Sequence, residues 1–203
     1  VEVKIGADAY FCVGNELPDN GALPPIPENI RQFLTGSRGS NGVQSADVSK
    51  AERAREEAIR EFRANATGGV MLGASVWGYI NVDLGILYAD MGATAGFDVS
   101  ITHIGDEVYC VGVPGAAGWK GWYGEGQLYA YLYAKMGLRL NLGFWKGSID
   151  LVDAGIGGVL QMGLPNPSYF TGDLRMKLRL LGGLINFNRR FQFTCGKKCD
   201  IFY

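Results

Sequence analysis

Histidine is nearly missing from this chain: of 203 residues only His103 is one, and the four cysteines contain no Cys-x-x-Cys pair, which leaves little from which to build a zinc site. There is no Gly-x-Ser-x-Gly elbow for a serine nucleophile and no Gly-Lys-Ser/Thr phosphate loop. Charge of one sign is also missing. Nineteen Lys and Arg face 20 Asp and Glu, for a net charge of −1, so nothing global argues for nucleic acid. No apolar run reaches the length of a membrane-spanning helix. The sequence opens on Val1, in the middle of an alternating pattern and with neither an initiator methionine nor a signal peptide, and this reads as a processed product or an excised domain.

What is present is period-two alternation. From Gln127 to Trp145 every even position is apolar, among them Leu128, Ala130, Leu132, Ala134 and Met136, while Tyr129, Tyr131, Tyr133, Lys135 and Arg139 stand at odd ones. A period of two held that long means extended chain with one dry face, as a single long bent strand or a hairpin that keeps its parity. The pattern recurs at Val1 to Val13, Val70 to Ile86, Phe97 to Ile101 and Leu174 to Leu180. Beyond the turn signal Gly182-Gly183 it returns at Ile185, Phe187, Phe191 and Phe193. Half-buried alternation suits antiparallel strands. The expected fold is mainly β: an antiparallel sandwich or a wrapped, barrel-like sheet with long strands and one helical insertion. Thirty-one glycines, many inside the strand patterns, predict bulges, coiling or close approach of neighbouring aromatics.

Residues 1–203 read as a single domain, with a loop-and-helix excursion over 15–69 laid against a sheet edge or an open end. Within it Pro27 opens a short helix from Glu28 to Thr35 that stops at Gly36. A second helix is expected after Ser49, which forms a capping box with Glu52 and precedes an apolar stripe of Ala51, Ala54, Ala58 and Phe62. Asn65-Ala66-Thr67 has the form of a glycosylation sequon.

Cys12, Cys110, Cys195 and Cys199 are disulfide candidates, and an even number in a Gly-rich β domain points to an oxidising compartment. The alternative is four reduced, buried thiols. Cys12 and Cys110 share the context aromatic-Cys-Val-Gly, which suggests neighbouring strand ends.

Catalytic constellations are weak. His103, Asp106 and Glu107 sit near a turn signal, and Asp150, Asp153 and Asp173 could be drawn as glycosidase-type carboxylates, but nothing fixes their separation. The chain is expected not to be an enzyme and to carry no cofactor or metal. Two features stand higher. Trp119, Trp122, Tyr123, Tyr129, Tyr131 and Tyr133 form a candidate aromatic binding face, with cross-strand packing beneath the helical excursion as its structural counterpart. Arg175, Lys177, Arg179, Arg189 and Arg190 form a candidate basic stripe for acidic polysaccharide, lipid head groups or an acidic neighbour, with a solvated sheet face as its counterpart.

The segments Tyr10-Phe11-Cys12-Val13-Gly14-Asn15-Glu16-Leu17-Pro18, Leu23-Pro24-Pro25-Ile26-Pro27, Gly118-Trp119-Lys120-Gly121-Trp122-Tyr123-Gly124 through Tyr131, Leu160 to Pro167 and Leu180-Leu181-Gly182-Gly183-Leu184 occur in this order. Together they resemble a Gly/aromatic-rich β module of very large secreted or envelope-associated bacterial proteins. The resemblance implies one module of a longer polypeptide outside the cytoplasm, with a scaffolding or adhesive role, and it brings no catalytic residue.

Three functions follow as expectations. The first is a non-enzymatic structural or interaction module, extracytoplasmic, partnered by neighbouring modules or subunits through strand addition, with polysaccharide or lipid as further partners and no nucleic acid. The second is a hydrophobic-ligand or lipid-binding β protein, the third an outer-membrane β-barrel. Tyr129, Tyr131 and Tyr133, in mid-strand opposite the apolar row rather than at its ends, argue for a soluble protein over the barrel.

Overall fold

The computed structural model describes residues 1–14, 23–36, 68–105, 108–110, 112–141 and 146–198. They form one antiparallel sheet of seven strands in chain order, β1 (Glu2–Gly14), β2 (Gly69–Asp83), β3 (Leu87–His103), β4 (Trp122–Asn141), β5 (Lys146–Leu164), β6 (Tyr169–Leu180) and β7 (Ile185–Gly196). The sheet is open: no second sheet stacks on it among the described residues, and β1 and β7 remain its two edges. A mainly β, antiparallel architecture with long strands is therefore the fold, in the form of a single sheet rather than a sandwich or closed barrel.

The long alternating run resolves into one strand, β4, whose register to β5 shifts between Met136 and Gly137. Met136 pairs with Val152 and Gly137 with Asp150, so Leu151 is the extra residue. A bulge of this kind bends and twists a long strand without breaking the pairing. Gly182-Gly183 does turn the chain, inside a 3-10 turn at Leu181–Gly183 where both glycines have positive φ.

The helix α1 (Glu28–Thr35) follows Pro27, whose fixed φ suits a helix entry, and ends at Gly36, whose φ of 74° is the left-handed closure that glycine adopts without strain. It does not lie at an edge or an open end, as the sequence suggested, but on the face of β4, β5 and β6. Ser49 to Phe62, the Asn65 sequon, Asp106 and Glu107 lie outside the described residues.

Burial reverses the expected sides of the sheet. The alternation predicts that the apolar rows make the core, yet Leu128 is 48% exposed and Leu132 54%, while Tyr129, Tyr133, Asp98 and Gln127 on the opposite face are buried. The cause is α1 and the chain preceding it, which cover the tyrosine face. Ile30 and Leu34 pack on Tyr129 and Val159. Phe33 sits above Gly155 and Gly157, with its ring 4.9 Å from that of Tyr131. Pro24 accepts a hydrogen bond of 2.7 Å from Gln127. A smaller cluster of Ile104, Cys110, Ala117 and Tyr123 closes one end of the sheet.

Candidate functional site

The register lays out in rows the face that is left uncovered among the described residues. Those starting at Val3, Ile5, Ala7, Ala9 and Phe11 each cross all seven strands, and the only charged residue in them is Arg189, on β7. Along the middle rows the side chains are small: Gly78, Ala93, Ala95, Ala130 and Gly158 are cross-strand neighbours. Phe97, Leu128, Leu132 and Ile156 stand around them, with Ile5 on β1 and Phe193 on β7 at the two sides. Small residues amid large ones make a depression, and this one is a trough of about 1270 Å³ reaching from β1 to β7. Its volume exceeds the ~300–1,000 Å³ usual for small-molecule pockets. An apolar surface of this extent, covered by none of the described residues, is unusual for a protein that stands alone.

The tyrosine face is polar and carries its own hydrogen-bond network. Tyr10 donates to Asp98 Oδ1 at 2.7 Å and Gln127 donates to Asp98 Oδ2 at 2.9 Å. Tyr169 donates to Glu125 Oε1 at 3.0 Å, and burial holds the Glu125 carboxyl above its ordinary range despite that bond. Burial, with Asp153 nearby, pushes the Tyr131 phenol up to about 12; burial, with Glu125 nearby, does the same at Tyr123. These phenols stay protonated at neutral pH, as hydrogen-bond donors rather than nucleophiles.

The candidate aromatic residues do not share one surface. Tyr123, Tyr129 and Tyr133 are buried, Tyr131 is half-buried against Phe33, Trp122 stands 41% exposed at one end of the apolar face, and Trp119 is 68% exposed in the preceding loop. The candidate basic stripe is divided too. Arg175 donates to the carbonyls of Phe33 and Leu34, satisfying the C-terminal end of α1. Lys177 bonds Asp153 at 2.6 Å and Arg190 bonds Asp173 at 2.5 Å, while Arg179 is exposed beside Asp153 in the register. Arg189 faces the opposite way, its guanidinium 5.9 Å from the centre of the Phe187 ring.

The drawn acid–base groups are likewise dispersed. Asp153 and Asp173 occupy rows six residues apart along the sheet, with Val159 opposite Asp173, roughly 20 Å at strand rise, and each binds its own cation. Asp150 accepts from Tyr88 and pairs with Lys135 at 3.3 Å. His103 meets Trp122 edge-on, with ring centres 5.1 Å apart. Among the described residues no group of three His, Cys, Asp or Glu is placed to hold a metal ion, and no helix is long and apolar enough to cross a membrane.

Cys12, buried beside Met71, and exposed Cys195 are both free thiols. A Cys12–Cys110 bond is thus not formed. Cys199 lies outside the described residues.

The trough's apolar lining was not among the candidate site residues, although a hydrophobic-ligand protein was among the expected functions. Its signal was present in the pairing of tyrosines with glycines: Gly92 faces Tyr133 and Gly96 faces Tyr129, which lets rings lie flat and fill the side that looked wet. No family model, no curated protein and no solved structure matches this chain.

Proposed function

We propose that the chain is a non-enzymatic β module that holds hydrocarbon, with lipid acyl chains or a comparable apolar tail lying in the trough of the uncovered face. One observation carries this reading: a continuous apolar surface over seven strands, hollowed to about 1270 Å³ and walled almost wholly by aliphatic and aromatic side chains. A sugar, or an extended peptide laid flat there, would lose its hydrogen bonds to water and find no replacements, at a cost of several kcal/mol for each such group. A hydrocarbon tail has none to lose and gains about 25 cal/mol for every Å² of apolar surface it buries.

The test is native mass spectrometry with solvent extraction of protein purified from its own host without detergent, followed by titration with a fluorescent fatty acid. Co-purifying lipid and uptake of the probe are expected, and Ala95→Arg should abolish both while leaving the circular-dichroism spectrum and melting temperature nearly unchanged. A clean apo mass with no uptake would overturn the proposal. Failure to remain soluble without detergent would point instead to a wall in contact with a bilayer.

A second reading is favoured by the two edges, β1 and β7, that no strand covers among the described residues. It makes the chain a structural module of an extracytoplasmic assembly, as the resemblance implies, joined to neighbours by strand addition. The two readings are compatible, since a sheet that grows by its edges also extends its trough.

A further inference from the structure

Edge strands of proteins that stay monomeric are commonly short, bulged or broken by proline. β1 is none of these. It has 13 residues, contains no proline and pairs with β2 without a register shift. Val1, Val3 and Ile5 are 86%, 56% and 81% exposed, and among the described residues no strand covers the outer edge of β1.

We infer that β1 pairs with β1 of a second copy of this chain, antiparallel, about a two-fold axis through Gly6. Strand direction limits the choices. In a sheet of seven antiparallel neighbours β1 and β7 run the same way. Joining β1 of one copy to β7 of another therefore makes either a parallel pair or an antiparallel pair whose apolar faces point to opposite sides. Pairing an edge with its own copy about an axis normal to the sheet is antiparallel and keeps both apolar faces on one side. Of the two edges, β7 carries Arg189 and Arg190 and no carboxylate, and so offers a copy of itself no opposite charge. β1 carries both signs.

The register about Gly6 uses them. It sets Lys4 of each copy, which within its own strand pairs with Glu2 at 2.7 Å, opposite Asp8 of the other, giving two symmetric ion pairs, and Glu2 opposite Tyr10. On the apolar face it sets Ile5 opposite Ala7, Val3 opposite Ala9 and Val1 opposite Phe11, so that in the two inner pairs a branched side chain meets an alanine. Sliding the copy by two residues one way places Glu2 against Asp8 and Ile5 against Ile5. Sliding it the other way places Asp8 against Gly6 and leaves both signs unmatched. Opposite charges across an antiparallel pair stabilise it and like charges oppose it, so the register about Gly6 is selected. The product is a sheet of fourteen strands with an unbroken apolar face, twice the seven of one copy.

Sedimentation equilibrium over a wide concentration range tests this. The unmodified chain should show a reversible monomer–dimer equilibrium. Asp8→Lys, which sets Lys4 against lysine at both symmetric positions, should weaken the dimer by about 10- to 30-fold with little change in melting temperature. The double variant Lys4→Asp, Asp8→Lys restores opposite charges with their places exchanged, and should recover the dimer. A chain that stays monomeric throughout, a dimer indifferent to Asp8→Lys, or a double variant that fails to recover would each overturn the inference. A dimer made face to face through the trough falls under the second of these outcomes.

Discussion

Tyr129 and Gly96 are a matched pair across β3 and β4: a methyl carbon on Gly96 would stand 2.6 Å from Cζ of the Tyr129 ring. The same ring packs with Ile30 and Leu34 of α1, so the missing side chain at Gly96 decides how closely the helix can settle. Gly96→Ala should therefore lower stability by about 1–3 kcal/mol, the usual cost of overpacking, read as a lower urea midpoint with an unchanged slope. An unchanged midpoint would mean that the ring shifts freely.

Arg175 reaches from β6 to the last turn of α1, donating at 2.8 Å to the Phe33 carbonyl. Its removal takes a side-chain donor from the helix end, which keeps the Gly36 N–H. For Arg175→Ala we expect a loss of about 1–2 kcal/mol and faster amide hydrogen exchange across Ile30 to Thr35, with β2 and β3 unaffected. Uniform acceleration over the whole sheet would contradict a local capping role.

Asp98 binds Tyr10 and Gln127 deep in the tyrosine face, where it is 1% exposed. Asp98→Ala removes an acceptor from Tyr10 and one from Gln127, which keeps its bond to Pro24, and a loss of about 2–4 kcal/mol is expected by chemical denaturation. An unchanged midpoint would mean that neither donor depends on this carboxylate.

Glu125 supplies a pH dependence of definite sign. Burial raises its carboxyl above the ordinary 4.5, so the folded chain holds this proton more tightly than the unfolded chain does. Its contribution to stability is complete below that ordinary value and is lost as pH rises through the raised one. Unfolding free energies measured against pH should thus decline across that window in the unmodified chain. The decline should be shallower in Glu125→Gln, and identical curves for the two would refute the assignment.

Several elements were legible in advance because their causes are local. The parity of β4, the opening of α1 after Pro27, its closure at Gly36 and the turn at Gly182-Gly183 each depend on residues within a few positions of one another. Which face of the sheet is buried depends on what lies over it, and no strand pattern carries that information. The tyrosines read as wet because they alternate with aliphatic residues. They are dry because Gly92, Gly96, Gly155 and Gly157 make room on that same face for rings and for Phe33, a fact visible only once strands are placed in register. The division of the basic residues was hidden for the same reason. Arg189 and Arg190 are adjacent in sequence and point to opposite sides of the sheet.

The order of the strands also bears on how the sheet assembles. Every pairing from β2 to β7 joins consecutive strands through a connection much shorter than the strands it links, except that between β3 and β4, so this part can zip up hairpin by hairpin at small loop-closure cost. β1 is different, because residues 15–68 separate it from β2, and bringing its ends together sacrifices the most chain entropy in the fold. It should dock last and detach first. The strand that offers its outer edge to a second copy is then also the one whose departure would open the edge of β2, making the β1·β2 seam the natural place for two copies to exchange a strand.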